Sequence, residues 1–478
     1  MKLTQYINGL IQDKGLKMLL LVCIFSVYSC KKLVDVKPPS NQLTSGNVFK
    51  DNSTAAAVLT GVYNRMSGYS FATGAASLSL RGGLSADELT LWDGANNPEL
   101  SQYYRNALLS TNPTFWSELF NYVHTTNVTL EKITASPNLT PAVARQLIGE
   151  AKFIRAFCNF YLVNLFGDVP IVLTSDYKIN NAIARSSQDK VYQQIVADLK
   201  DARDLLSENY RAADAISPTQ ERVRPTKWAA TAMLARVYLY IGKWAEAEEE
   251  ASALINNTQL FTLTPALKDV FLANSSETIW QLMPVDPNLN TADGNVFILT
   301  AGPNEWANYV FLSNQVLAAF EDGDHRRSEW VGVDSSTGTQ YYYPLKYKIA
   351  FGRPLVEYLM VLRLTEQYMI RAEARTEQGK ISEAAADLNI VRNRAELPGT
   401  TATTNDQLRA AIAHERQVEF FTEWGHRWFD LKRTGGISAI MRTVTPAKGG
   451  AWNDNRQWFP LWLDDLKADP NLDQNPGY

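Results

Sequence analysis

A pair of matching segments constrains the fold of this 478-residue chain more than any other feature. Residues 235–247 and 372–384 are both rich in alanine, and Gly242-Lys243 aligns with Gly379-Lys380. The two glycines are 137 positions apart (379 − 242), close to four units of the roughly 34-residue tetratricopeptide period. Alanine lets the helices of a hairpin approach closely, and glycine turns the corner between them. We therefore predict helical hairpins in one curved α scaffold, with a coincidental match of short Ala/Glu-rich segments as the alternative.

Helical periodicity extends over much of the remaining chain. Apolar residues recur at helical spacing in 54–66, 112–134, 142–166 and 191–206. With helical repeats at about 142–260 and 355–435, this predicts a mostly α, tetratricopeptide-like fold in a single domain, 46–478. Two stretches break the pattern, 69–112 and a loop-rich insertion at about 262–353, where aromatic residues lie among Gly, Asn, Asp and Pro. Long irregular segments on a rigid scaffold are more often functional than incidental.

The N-terminus has the composition of an export signal. An apolar run at 18–27 follows basic residues and is about ten residues long, too short for the roughly 20 needed to span a bilayer. The segment ending at Cys30 resembles the bacterial lipobox, so we predict a signal peptide at 1–29, lipidation of Cys30 and a tether at 30–45. Met18 could equally be the start. The alternative is a buried apolar segment followed by an unrelated cysteine.

Composition excludes several classes of function. A net charge of −4 provides no basic face for a nucleic acid. The 4 histidines lack metal-ligand spacing, and no phosphate-binding loop or nucleophile elbow is present, so no metal and no cofactor is predicted. Asp322-Gly-Asp-His325 lacks the rest of a calcium loop and is predicted to be a turn. If Cys30 is lipidated, Cys158 has no disulfide partner and is predicted to be a small core residue.

Glu415, Glu419 and Glu423 recur at a spacing of four residues. On one helix, this spacing stacks the carboxylates on one face, where like charges need intervening cations. The basic residues available nearby are Arg392, Arg394, Arg416 and Arg427. We therefore predict a structural ion-pair network. The alternative is a glycosidase pair, although catalytic carboxyls normally face each other from different elements.

The irregular regions supply the candidate binding residues. A sugar ring has apolar C–H faces and polar edges, so an indole or phenol beside polar side chains suits it. The candidates are Trp92, Asp93, Asn96, Trp306, Asn308, Tyr309, Trp330 and Tyr341. Four other tryptophans lie in helical or motif contexts and are predicted to be core residues: Trp228, Trp244, Trp428 and Trp458.

Five groups of residues together resemble the SusD/RagB family of bacterial outer-membrane lipoproteins. They are 30–39, 85–88, 371–375 with 388–394, 415–433, and 460–463 with 471–478. The last two groups are specific in combination. In one departure from many relatives, Trp424 separates Glu423 from Gly425, which affects the expected local turn.

The resemblance implies a helical scaffold with a loop-built ligand face, anchored in the outer membrane and exposed at the cell surface. Members of this family bind oligosaccharides, and in some branches peptides, for a TonB-dependent transporter, and they are binders rather than enzymes. The expected partners are such a transporter, its glycan or peptide cargo, and the membrane through the lipid. The alternative function is a tetratricopeptide scaffold that binds only protein, whose ligand loops would be packed shut.

Overall fold

The computed structural model describes residues 48–112 and 114–478. The predicted signal peptide, lipidation site and tether lie outside these residues. Phe49–Tyr478 forms one compact unit. About half of the chain is helical, and the sheets are small, which confirms the predicted mostly α fold. Among the described residues, no helix combines the length and apolar character needed to cross a membrane.

The helices of the scaffold follow the predicted segments closely. Asp51 accepts a hydrogen bond from the amide of Thr54 and caps the helix that begins at Asn52. The long helix that begins at Pro141 is terminated by Gly167. The larger helices are α1 (Asn52–Ser67), α2 (Leu78–Ser85), α3 (Pro98–Tyr104), α4 (Thr114–Thr134), α5 (Pro141–Phe166), α7 (Gln188–Leu205), α8 (Lys227–Tyr240), α9 (Trp244–Ile255), α13 (Leu364–Glu377), α14 (Ile381–Arg394), α15 (Asn405–Glu419), α16 (His426–Arg433) and α17 (Ile437–Ala447). The short helices are α6 (Tyr177–Asn180), α10 (Ala292–Phe297), α11 (Asn314–Ala319), α12 (His325–Glu329) and α18 (Leu463–Ala468).

The long helices pack in a continuous array. Helix α4 contacts α5, α5 contacts α7, and the series continues through α8, α9, α13 and α14, with α15 packed on both α13 and α14. Each helix therefore buries its apolar stripe against its neighbours in the array, as in helical-repeat proteins. The array is the rigid part of the molecule on which the irregular segments are mounted.

The two matching segments form hairpins, as predicted. Gly242 and Gly379 turn the corners with φ of 69° and 74°, in the left-handed region that favours glycine. The structure corrects the meaning of their spacing, because the second hairpin packs directly on the first through α9 and α13. Glu248 of α9 reaches Arg375 at 2.9 Å and Lys380 at 2.6 Å across this interface. The offset of four repeat lengths therefore reflects an insertion between adjacent hairpins.

That insertion contains most of the strands. In the described residues, three two-stranded antiparallel sheets pair β1 (Leu89–Leu91) with β3 (Val310–Leu312), β2 (Thr278–Leu282) with β6 (Leu359–Arg363), and β4 (Val331–Asp334) with β5 (Tyr341–Pro344). Strands β2 and β6 are fully buried and return the chain to the start of α13. The pairing of β2 with β6 thus fastens the insertion where it joins the scaffold.

Helix α5 lies at the centre of the aromatic core. Phe157 packs against Trp280 of β2, with ring centroids 5.3 Å apart, and against Trp424, with centroids 5.6 Å apart. Trp424 is buried in a left-handed conformation (φ 49°), and its indole N–H donates to the carbonyl of Met360 at 2.7 Å. The extra residue at this turn therefore adds an indole to the core. Cys158 is fully buried beside these rings, as predicted.

The acidic residues near the C-terminus form an ion-pair network, as predicted, but with only two of the four predicted arginines, Arg392 and Arg394. Arg416 pairs with Asp430 and Arg427 with Asp87 instead. Glu419 contacts Arg326 at 2.9 Å, Arg363 at 2.6 Å and Arg394 at 2.5 Å. Helix α15 ends at Glu419, so the prediction that Glu423 continues the same helical face is wrong. Glu423 instead comes from the following turn and pairs with Arg363 at 2.9 Å.

Glu415 completes this network. Its carboxylate contacts Arg326 at 2.6 Å and Arg392 at 3.1 Å, and like Glu419 it has no exposed surface. Asp324, from the predicted turn, caps α12 and also pairs with Arg326 at 2.9 Å. Carboxylates sequestered in this way have no route to a substrate, which contradicts the glycosidase interpretation of these residues.

Candidate ligand-binding face

One small sheet joins the two irregular regions that the sequence singled out. In the pairing of β1 with β3, Thr90 lies opposite Phe311 and Leu91 opposite Val310. The amide of Trp92 continues the ladder by donating to the carbonyl of Tyr309 at 2.8 Å. The loop after β1 and the loop before β3 therefore leave the sheet at the same end, which brings Trp92 and Tyr309 side by side.

The loop before β3 presents Trp306 to solvent. This side chain is 81% exposed, more than any other large apolar side chain in the described part of the chain. The side-chain oxygen of Asn304 accepts from the amides of Trp306 and Ala307 at 2.9 and 3.0 Å, and the Tyr309 hydroxyl donates to the Trp306 carbonyl at 2.8 Å. The backbone under the indole is thus held firmly while its ring stays free.

Trp92 lies beside Tyr309, on the loop that follows β1. Its ring folds back over Gly94, where an added Cβ would be 2.3 Å from Cη2, so a larger residue at 94 would displace the indole. The indole is half-buried, and Asp93 and Asn96 are exposed beside it. Burial first, and then the nearby carboxylate of Asp93, raise the pKa of Tyr104. The loop therefore places a half-buried indole beside two exposed polar side chains.

Asn308 has a different function from the one predicted. Its amide nitrogen donates to the carbonyls of Asn295, Val296 and Ile298 at 3.2, 2.9 and 3.3 Å, at the end of α10. Its oxygen accepts from Asn304 at 3.4 Å. Because both polar atoms are used within the protein, Asn308 positions the Trp306 loop and has no free amide for a ligand.

The structure separates the two remaining aromatic candidates. Tyr341 of β5 is half-buried and packs against Phe311, with ring centroids 5.1 Å apart, so it lies beside the β1–β3 sheet. Trp330 has no exposed surface, and its indole N–H donates to the carbonyl of Leu267 at 3.0 Å. The prediction of Trp330 as a ligand contact is wrong, because its ring is packed inside the insertion, against Phe271.

Two exposed aromatic residues were missed by the sequence interpretation. Tyr69 is 58% exposed, and its hydroxyl donates to the side-chain oxygen of Asn295 at 3.0 Å. Phe351 is 68% exposed, in a segment whose Ile349 carbonyl would lie 2.8 Å from a Cβ at Gly294. Both segments therefore border α10, as does the Trp306 loop. The available signal was a lone aromatic residue among Gly, Ser or Pro at a turn.

We call this surface the aromatic face, defined by Tyr69, Trp92, Trp306, Tyr309, Tyr341 and Phe351. Helix α10 borders the segments that carry Tyr69, Trp306 and Phe351, and Asp293 ties this helix to residues 73 and 74. The Asp293 carboxyl accepts from the Thr73 hydroxyl at 2.9 Å and the Gly74 amide at 2.6 Å. Burial raises the pKa of Asp293 to about 7, so the group is close to its titration midpoint at neutral pH.

The exposed rings give this face its chemical character. Large apolar side chains left in water favour association, and aromatic rings beside polar groups suit ligands with apolar faces and polar edges. The fold and this face together define a helical-repeat scaffold with an exposed aromatic surface.

Comparison with known proteins assigns the family. Residues 32–239 match a family model described as starch-binding and associating with the outer membrane, and residues 356–478 match the SusD family model. These two segments cover more than two thirds of the chain. SusD-like protein P2 of Formosa agariphila is 27% identical over 97% of this chain and 100% of its own length. The chain belongs to the SusD/RagB family.

Solved structures show the same fold. A SusD superfamily protein from Bacteroides vulgatus superposes with a TM-score of 0.78 at 21% identity, covering 90% of this chain and 100% of that one. A laminarin-binding SusD-like protein gives a TM-score of 0.74 at 22% identity, with the same two coverages. At these identities the likeness concerns the fold alone.

Proposed function

We propose that this protein is a cell-surface lipoprotein that binds glycans on its aromatic face and delivers them to a TonB-dependent outer-membrane transporter. The observation that carries the proposal is the exposed indole of Trp306, held on a rigid loop beside Trp92 and Tyr309. Side chains of this kind contact the apolar faces of sugar rings, while Asp93 and Asn96 offer acceptors and donors for hydroxyl groups.

Two further observations support the proposal. Family models and fold neighbours carry descriptions that refer to starch and to laminarin, both of which are glucose polymers. The N-terminal sequence ending at Cys30 resembles a lipobox, and acyl chains on that cysteine would hold the domain at a membrane. Peptides remain the alternative cargo, because exposed rings also contact apolar peptide side chains.

The protein-only scaffold is less well supported. That function predicts loops packed shut over the insertion, whereas Tyr69, Trp306 and Phe351 are all more than half exposed. Leaving three large rings in water is unfavourable unless a ligand covers them.

The direct test is binding by the chain from residue 31, which retains the whole compact unit, before and after Trp306→Ala. An indole carries about 200 Å² of surface, and a ligand stacked on one face of an 81% exposed ring covers about half of what is exposed. At about 25 cal/mol per Å², this amounts to about 2 kcal/mol, or roughly a 30-fold loss of affinity. Calorimetry and affinity gels with starch, laminarin, other soluble polysaccharides and a peptide pool measure it.

A matched control is Tyr177→Ala, because Tyr177 is 67% exposed on α6, apart from the aromatic face. This variant is expected to bind like the parent chain, and both variants are expected to melt within about 1 °C of it. Equal loss in both variants, or a Trp306→Ala variant that binds normally, would exclude the aromatic face as the binding surface.

Anchoring and delivery need a separate experiment in the natural host. Cys30→Ser is expected to abolish incorporation of labelled palmitate and to release the protein from the membrane fraction. The unaltered protein is expected to copurify with a TonB-dependent transporter. Membrane retention without Cys30, or purification without any transporter, would contradict this part of the proposal.

A further inference from the structure

A cleft separate from the aromatic face lies where the end of α5 and the start of α7 meet the C-terminal segment. Its volume is about 510 Å³, within the range of small-molecule sites. It shares no residue with the aromatic face. The residues that matter to its chemistry are Asp168, Arg185, Gln188, Asn455, Trp458 and Asp473. We refer to it as the Trp458 cleft.

Arg185 forms a rigid floor for this cleft. Its guanidinium donates to the carbonyls of Asp168 at 2.7 Å, Asp473 at 2.8 Å and Phe166 at 3.2 Å, and to the side chain of Asn475 at 2.6 Å. Four of its five N–H groups are therefore committed to protein oxygens. Arg185 joins the C-terminal segment to the scaffold and has little capacity left to bind an anion.

Trp458 supplies an apolar wall, although the sequence assigned it to the core. The ammonium of Lys432 stands over its ring, 3.6 Å from the centroid, and Gly167 approaches closely enough that an added Cβ would be 3.5 Å from Cε3. The residue's backbone is fixed as well, since its carbonyl accepts from the Tyr478 hydroxyl at 2.9 Å. The half-buried indole is thus locked in place while it borders the cleft.

Polar side chains with free hydrogen-bonding capacity surround this wall. Within the described ranges, the side chains of Gln188, Asn455 and Asp473 make no hydrogen bond, although the backbone around each is held. Among the residues that line the cleft, the carboxylates Asp168 and Asp473 outnumber the one cation, Arg185, and this balance disfavours phosphate, sulfate or carboxylate ligands. Amides and carboxylates beside a fixed indole match the hydroxyl edges and C–H face of an uncharged sugar.

We infer that the Trp458 cleft is a second carbohydrate-binding site that takes an uncharged saccharide, with Trp458 against the sugar face and Gln188, Asn455 and Asp473 at its hydroxyl groups. The inference rests on the proposed function only for the class of ligand. Two separate sites on one chain would hold a long glycan at two points and raise its apparent affinity by effective concentration.

Fluorine NMR of the chain from residue 31, labelled with 5-fluorotryptophan, tests the two sites separately. The 12 tryptophans give distinct probes, and Trp306→Phe and Trp458→Phe variants assign the two resonances of interest. The titrants are maltohexaose and laminarihexaose, with inorganic phosphate as the anionic comparison. We expect a saturable shift of the Trp458 resonance with at least one hexasaccharide and none with phosphate.

Two of the polar residues that line the cleft provide the matched variant. Gln188→Ala combined with Asn455→Ala is expected to weaken the response at Trp458 about fivefold to tenfold and to leave the response at Trp306 unchanged. A shift at Trp306 without one at Trp458 would refute the second site and leave the aromatic face standing. A shift at Trp458 alone would refute the aromatic face. If neither resonance moves, or if phosphate moves Trp458 as strongly, the inference is overturned.

Discussion

The buried ion-pair network makes a quantitative prediction for Glu419→Gln. Glu419 has no exposed surface and sits among three guanidinium groups, those of Arg326, Arg363 and Arg394. Glutamine has nearly the same shape but removes the negative charge, so the three cations lose their shared partner. Because water cannot reach the site to compensate, we expect the folded state to lose far more than it would at the surface.

The expected magnitude follows from burial. Breaking a fully buried pair on one side costs about 3–5 kcal/mol. A unit the size of Phe49–Tyr478 unfolds with an entropy of about 0.9 kcal/mol/K, at about 2.1 cal/mol/K per residue. A loss of about 4 kcal/mol therefore lowers Tm by roughly 4 °C, and it should shift the midpoint of urea unfolding in proportion.

The pH dependence identifies the cause of the loss. Burial alone would raise the pKa of Glu419, but the guanidiniums of Arg394, Arg363 and Arg326 outweigh it and hold the pKa well below the usual 4.5. Because its pKa is lower in the folded than in the unfolded state, ionised Glu419 stabilises the fold fully above pH 4.5. This stabilisation is lost as the pH falls toward the folded-state pKa. The difference in the free energy of unfolding between the parent protein and Glu419→Gln should narrow by about 1.4 kcal/mol for each pH unit below 4.5.

Glu208→Gln is the matched control. Glu208 pairs with Lys227 but is 64% exposed at its side chain, so this variant should melt within about 1 °C of the parent at every pH. Differential scanning calorimetry between pH 3 and pH 8 measures all three proteins. An equal, small effect of both variants, or a Glu419→Gln deficit that stays constant down to pH 3, would refute the reasoning.

Three further predictions concern single positions. The pKa of Asp293 is raised to about 7, so its burial costs stability as the pH rises from about 4 to 7; Asp293→Asn should flatten the Tm–pH profile there, and an unchanged profile would contradict this. In Gly379→Ala the added Cβ would meet no atom within 4 Å, so the variant should lose only the cost of a left-handed alanine, about 1–2 kcal/mol of unfolding free energy measured by chemical denaturation. An unchanged free energy of unfolding would contradict the observed φ. The buried Cys158 thiol, whose pKa is raised by burial, should react with a thiol reagent no faster than the protein unfolds; rapid labelling of the native protein would count against it.

Local sequence patterns predicted most of the helical scaffold. Helical periodicity placed the long helices to within a few residues, because the apolar stripe of a helix is written in consecutive turns. The glycines at 242 and 379 marked hairpin corners because a left-handed residue at a helix end strongly favours glycine. The ion-pair network could be predicted only in part. Arg392 and Arg394 were predicted partners, but Arg326 and Arg363 come from distant parts of the chain.

The ends of elements and the spacing of repeats were harder to predict. The spacing of Glu415, Glu419 and Glu423 suited one helix, but the backbone leaves the helix after Glu419 through left-handed residues that enclose Trp424 in the core. The interval between the hairpins suited intervening repeats, whereas an insertion occupies it. In both cases a tertiary contact, not a local preference, decided the path of the chain.

By itself, the sequence determined the class of fold, the hairpin corners, the small buried cysteine and a set of aromatic candidates in irregular segments. Only the tertiary structure decided which candidates face solvent. Trp306 and Trp330 occur in similar contexts, yet one is 81% exposed and the other has no exposed surface. The physical reason is that the burial of a ring depends on what packs over it. Strand pairing brings Trp92 next to Tyr309 from a distant part of the chain, and the sequence around either residue does not predict this pairing.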